Sequence, residues 1–165
     1  MFILLPPDCV KVPQLEDFRR EFIEDGSDMN GGSGLKKAES AYMWLFQRPW
    51  LTYPGNYQFF SYDTRVNEIV GAIRISTQLN AGLVLTHGLN IGYSIRPALR
   101  GQGFGTLQLA LGLNYAKSFG LREVLISAEV SNVASQKIIL ANKGEMDHQE
   151  EDFYIFKIDL GKELL

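Results

Sequence analysis

With a single cysteine, Cys9, the chain cannot close a disulfide on itself. One thiol and no disulfide suit a reducing, cytoplasmic setting. The two histidines, His87 and His148, stand far apart. No zinc ligand set can be assembled from them and Cys9 without carboxylates supplying most of it, so no metal is expected. Basic charge is scarce as well: the net charge is −3 and the isoelectric point about 5.4. That balance lacks the basic footprint of a nucleic-acid binder, although Arg96, Arg100, Lys137 and Lys143 leave room for a local patch. No run reaches the roughly 20 apolar residues of a membrane span. Met1-Phe-Ile-Leu-Leu-Pro-Pro lacks the basic start and the apolar length of a signal peptide. The expectation is therefore no nucleic acid and no membrane partner.

The 165 residues suffice for one domain, 1–165, with a sizeable core. Hydrophobic residues at 45% and charged ones at 21% give an ordinary globular balance. Phe2 to Leu5 reads as a strand stopped by Pro6-Pro7. Leu15, Phe18, Phe22 and Ile23 recur at helical spacing and predict a helix from Gln14 to Glu24. Gly26 to Gly34 reads as a flexible loop, and Ala38 to Gln47 as a second helix ended by Pro49. Tyr57 to Tyr62 and Glu68 to Ser76 form a predicted hairpin. A Gly-containing connection, Asn80 to Gly88, leads to a strand at Ile91 to Ile95. A helix follows to Gly120, then a strand at Val124 to Ala128. Ser131 or Asn132 can cap a short helix to Asn142. Phe153 to Leu160 reads as a last strand, with Glu145 to Glu150 as its antiparallel partner. The order β-α-α-β-β-β-α-β-α-β-β describes an α/β domain with a mixed sheet.

Arg100 to Gly105 is a basic, glycine-rich turn between a strand and a helix. Glycines allow close approach, and the first-turn N–H groups of the helix point outward unpaired, which suits a phosphate. No Lys follows the glycines, which excludes a nucleotide-triphosphate loop. Thr106 stands where a dinucleotide loop would have its third glycine. Arg-x-x-Gly-x-Gly is met in full by Arg100, Gly103 and Gly105.

Together with Val70-Gly71, Ile95-Arg-Pro, Asn132 and Ser135, this loop resembles the GNAT acetyltransferase superfamily, in particular a branch of predicted acetyltransferases. The resemblance runs from about Glu68 to Gly144 and, through element order, covers most of the chain. It implies a GNAT-like mixed central sheet flanked by helices. Two splayed strands, Ile91 to Ile95 and Val124 to Ala128, would form a V-shaped cleft for acetyl-CoA as donor, with an amine as acceptor. Backbone N–H groups of Gly101, Gln102, Gly103, Phe104, Gly105 and Thr106, after Arg100, would hold the pyrophosphate. Exposed backbone of Ser94, Ile95 and Arg96 would pair with the pantetheine arm, one N–H polarising the thioester carbonyl. The Asn132 amide would bond the pantetheine or cap a helix.

Many members place a general-acid Tyr seven residues after the Asn; here that residue is Ile139. Ser135 is the substitute. Glu129, just past the second splayed strand, is the first choice of base, acting through water, and its alternative is a solvated strand-end charge. His87 has a suitable intrinsic pKa. Tyr93 faces either the acceptor or the core. Trp44, Trp50, Tyr53 and Tyr57 are candidates to wall an acceptor pocket. Lys137 and Lys143 are candidates for the 3′-phosphate. Cys9 is expected to be a buried small hydrophobe. A non-catalytic acyl-CoA-binding domain is the alternative to an enzyme. A homodimer through the hairpin edges or the last strand stays open.

Overall fold

The computed structural model describes residues 1–79 and 89–161. Among the described residues, seven strands and four α-helices follow the predicted order: β1 (Phe2–Leu5), α1 (Val12–Asp25), α2 (Ala41–Gln47), β2 (Asn56–Asp63), β3 (Glu68–Ser76), β4 (Ile91–Ile95), α3 (Phe104–Ser118), β5 (Glu123–Glu129), α4 (Val133–Ala141), β6 (Glu145–Glu150) and β7 (Phe153–Asp159). The predicted connection over Asn80 to Gly88 lies outside the described residues.

Local signals explain the helix bounds. Pro13 sits in the first turn of α1, where a missing N–H costs nothing, and Gly26 ends it in the left-handed region at φ 77°. α2 starts three residues later than predicted because the Ser40 side chain accepts the Met43 N–H as its N-cap. The Glu16 carboxylate also accepts the Ala41 N–H at 2.6 Å and so ties α1 to the start of α2. That bond, followed by Arg19, holds the Glu16 carboxyl below its ordinary value.

The expected single mixed sheet is built as two antiparallel ladders, β1-β2-β3-β4 and β5-β7-β6. Alternation along the strands gives each layer its own core. Phe60, Tyr62 and Ala72 pack with Leu15, Phe18, Phe22 and Trp44 under α1 and α2. Phe59, Ile73 and Ile75 pack with Leu109 and Leu113 of α3 on the other side. Burying one such side chain fully is worth roughly 1.5–3 kcal/mol. A bulge between Ser61 and Tyr62 shifts the register and keeps Tyr62 opposite Ile69 in the α1–α2 core.

Asn90 joins the two ladders. Its backbone N–H donates to the Leu125 carbonyl at 3.0 Å, while its carbonyl accepts the Ser76 N–H at 2.7 Å. Its side-chain amide repeats the pattern, with Nδ2 donating to the Ser76 carbonyl and Oδ1 accepting the Leu125 N–H. Beyond that rung, a cavity lined by Ile91–Ile95 on one side and Ser127, Ala128 and Glu129 on the other separates the strands.

Candidate active site

The cavity measures about 1190 Å³. That exceeds the roughly 300–1,000 Å³ usual for one small ligand. Its first wall is the free edge of β4. Arg96 N–H bonds the Val70 carbonyl, and Ser76 N–H bonds the Asn90 carbonyl. Antiparallel alternation then turns the backbone of Ser94 and Arg96 toward β3, and that of Tyr93 and Ile95 toward the cavity. This corrects the expectation for Ser94 and Arg96, whose N–H groups serve the ladder. The Arg96 side chain also leaves the cavity. Its Nε lies 3.1 Å from Glu21 Oε2, in ion-pair contact though off the hydrogen-bond direction, and its guanidinium sits over the Phe18 ring. The Ser94 side chain remains in the cavity wall, buried, with an Oγ that has no partner among the described residues.

The second wall is the glycine loop. Gly101 and Gly103 adopt φ of 75° and 84°, which L side chains rarely take. Among the described residues no side chain caps α3 at Gly103, so its first-turn N–H groups stay available. Arg100 lines the cavity and also braces the loop. Its Nη2 donates to Ser27 Oγ at 2.8 Å, its Nη1 lies 3.4 Å from Asp25 Oδ2, and Nε donates to the Ile95 carbonyl. Gly105 serves packing, since a Cβ there would stand 2.5 Å from Ile138 Cδ1 of α4. The side chains of Gln102 and Phe104 are not in the cavity wall; the Phe104 ring stacks on Phe2. Both offer only backbone, while Thr106 lines the cavity.

The third wall is β5 and α4. Asn132 is the N-cap of α4, its Oδ1 accepting the Ser135 N–H at 3.1 Å. Its Nδ2 has no protein partner among the described residues, so the capping and ligand-binding readings coexist. Ser135 Oγ lies 2.8 Å from the Tyr93 hydroxyl. The Tyr93 ring packs on the α3–α4 core, and burial pushes its phenol up to about 12. Glu129 is exposed at the cavity edge, with Ser131 Oγ 3.4 Å away. Ile139 is fully buried in the core, not in the cavity.

The fourth wall is the segment after α1, which is pinned rather than loose as the sequence reading had it. Gln58 Nε2 donates to the Gly31 carbonyl, Ser33 Oγ to Gln58 Oε1, and Trp44 Nε1 to the Ser33 carbonyl. Gly31 lies so close to β4 that a Cβ there would meet the Gly92 carbonyl oxygen at 2.1 Å.

Of the four aromatic candidates for a pocket wall, Tyr53 lines the cavity, as Tyr93 does. Trp44 and Trp50 are core, and Tyr57 stacks on Phe119. Lys137 lines the cavity and Lys143 does not. Cys9 is exposed, contrary to expectation, because it ends a 3-10 turn after Pro7. His87 lies outside the described residues. Sequence reasoning missed Arg74, Lys36 and Lys37, which line the cavity, and Gln108, which is buried. Gln108 Nε2 donates to the carbonyls of Ala72 and Ser94, and its Oε1 accepts from Ser61 Oγ. A polar residue inside an apolar helix repeat was the available signal for Gln108. Arg74, inside an apolar strand, gave the same signal.

Among the described residues no three metal-ligating side chains cluster, and no helix is long and apolar enough to cross a membrane. A search of curated protein sequences finds no match. The fold is similar to solved acetyltransferase structures at low identity. Ribosomal-protein-S5-alanine acetyltransferase from Vibrio fischeri is 14% identical with a TM-score of 0.69, over 96% of this chain and 92% of that one. Mycobacterium smegmatis RimJ, solved with CoA-disulfide, is 16% identical at 0.71, over 96% and 81%. Campylobacter jejuni N-acetyltransferase PseH, solved with acetyl coenzyme A, is 14% identical at 0.63, over 96% and 99%. The family model for the acetyltransferase (GNAT) domain matches residues 13–144, most of the chain, and the protein therefore belongs to the GNAT acetyltransferase family.

Proposed function

We propose that the protein is an acetyl-CoA-dependent N-acetyltransferase, one domain over 1–165, that moves an acetyl group directly to a primary amine. The observation that carries this reading is a single cavity that gathers the free edge of β4, the uncapped start of α3 and the Asn132 amide. Two of the similar structures, RimJ and PseH, hold CoA-disulfide and acetyl-CoA.

In this reading the pyrophosphate rests on N–H groups from Gly101 to Thr106, with Gln102 and Phe104 contributing backbone only. The pantetheine arm pairs with β4 at Ile95 and with Asn132 Nδ2. The Tyr93 or Ile95 N–H faces the thioester oxygen and stabilises the oxyanion. A neutral amine attacks the carbonyl carbon, the C–N bond forms, and the C–S bond breaks as the tetrahedral intermediate collapses. The ammonium proton passes through water to Glu129. The departing thiolate takes a hydrogen bond from Ser135 Oγ, which the Tyr93 hydroxyl holds in place, and its proton comes from water.

Acetyl-CoA is expected to raise the melting temperature. At a hundred times its Kd, a ligand confined to the native state adds about 2.7 kcal/mol. No shift at millimolar acetyl-CoA would overturn the donor assignment. The second reading, an acyl-CoA-binding domain without turnover, is favoured by the burial of Ile139 where many relatives carry a Tyr acid. Release of free thiol across a panel of amines decides between the two.

A further inference from the structure

Arg74 combines shelter with the lack of a carboxylate. Six of the eight arginines, Arg19, Arg20, Arg48, Arg65, Arg96 and Arg100, form ion pairs, and Arg122 is exposed. Arg74 is half-buried in the cavity wall, and its one polar partner among the described residues is the Leu89 carbonyl at 3.4 Å. Residues 80–88 contain no Asp or Glu. Burial lowers the guanidinium pKa from its ordinary value. A charge taken from water without a counter-charge is costly, and a bound anion would offset that cost.

The surroundings fit an anion. Register pairs Arg74 with Gly92 and Ala72 with Ser94, so Arg74 and Ser94 share one face of the β3–β4 pair. The guanidinium lies beside Gly92, where an added Cβ would stand 3.4 Å from Arg74 Nη2. Ser94 is only 9% exposed, yet its Oγ has no partner among the described residues. Lys36 and Lys37 also line the cavity, Lys36 with a bond to the Ser27 carbonyl, and neither pairs with a carboxylate among the described residues. Against these cations Asp28 is the one carboxylate on the loop wall. Gly92 also lies three residues before Ile95, roughly 10 Å along the strand and away from the glycine loop that follows it. With the pyrophosphate on the glycine loop, as proposed, this end of the cavity is left for the acceptor.

We infer that Arg74 and Ser94 form an anion subsite, and that the acetyl acceptor is an amine carrying a carboxylate. This rests on the transferase reading. The carboxylate takes the paired N–H groups of the guanidinium and the Ser94 hydroxyl. It thereby holds the amine near the thioester, and a polyamine meets like charge instead.

The test measures thiol release from acetyl-CoA with three matched acceptors: β-alanine, propylamine and 1,3-diaminopropane, with glycine, 4-aminobutyrate and 6-aminohexanoate extending the spacing series. The full-length protein is expected to favour an amino-carboxylate in kcat/KM by about tenfold or more. Arg74→Met is expected to erase that preference, chiefly through KM, with the Kd for acetyl-CoA unchanged. Arg74→Lys, which keeps the charge should Arg74→Met fold poorly, is expected to retain part of it. A preference for the diamine or the neutral amine, or a preference that survives Arg74→Met, would overturn the subsite. So would acetyl-CoA binding with no acceptor turned over. Absence of acetyl-CoA binding would instead overturn the donor assignment beneath it.

Discussion

Tyr93 carries one role in its backbone and another in its side chain. Its backbone faces the cavity, while its phenol, pushed up to about 12 by burial, is bonded to Ser135. Of the seven tyrosines it is expected to ionise late in an ultraviolet titration, near pH 12 and well above the usual value of about 10. Tyr93→Phe should remove that late step. Ser135→Ala should lower turnover while leaving acetyl-CoA binding intact, because the backbone contacts do not involve Oγ. Glu129→Gln is expected to lower kcat by about 10²–10⁴ if the carboxylate takes the proton. Unchanged turnover at constant Kd would reduce Glu129 to a solvated charge at the end of β5.

Among the elements, the segment after α1 and the loop before α3 depend on glycine for different reasons. At Gly31 an added Cβ would strike backbone, the Gly92 carbonyl, at φ 73°. Neither can yield cheaply, so Gly31→Ala should cost about 2 kcal/mol or more in urea unfolding and distort the acceptor wall. At Gly101 and Gly103 an added Cβ meets nothing within 4 Å. There the cost is conformational alone, about 1–2 kcal/mol per left-handed residue. A ligand on the loop would meet the added methyl, so Gly103→Ala should weaken acetyl-CoA more than it weakens the fold. Calorimetry beside urea unfolding separates the two losses.

For the molecule as a whole, pH acts on stability from both sides. Asp63 is held at about 2 by the Arg65 side chain and then by the Arg65 N–H. Its ionised form is favoured in the fold, so its contribution is present above the unfolded value near 3.8 and is lost as pH falls toward 2. His148 is raised by Glu150 and then Asp147. Its contribution is complete below about 6.5 and disappears as pH rises through the raised folded value. Melting temperatures measured from pH 2 to 9 should fall less steeply at the acid end in Asp63→Asn. In His148→Gln they should lose the slope just above pH 6.5. Unaltered limbs would remove either assignment.

Element order, the glycine loop and the Asn132 cap were legible in the sequence, because they follow from short-range rules: hydrophobic period, glycine at positive φ, and an acceptor side chain ahead of a helix. Those rules act within a few residues, so a linear reading reaches them. Tertiary structure decided which edge of β4 is free, because pairing with β3 consumes alternate backbone groups. It also decided that Arg100 braces the loop against α1, that Asn90 joins the ladders, and that Trp44 is core while Tyr53 lines the cavity. Each of these joins residues distant in sequence, where local pattern carries no information. Arg74 shows the difference most directly. In sequence it is a lone cation in an apolar strand; only the placement of Gly92, Ser94 and the loop before α2 around it makes it part of a binding cavity.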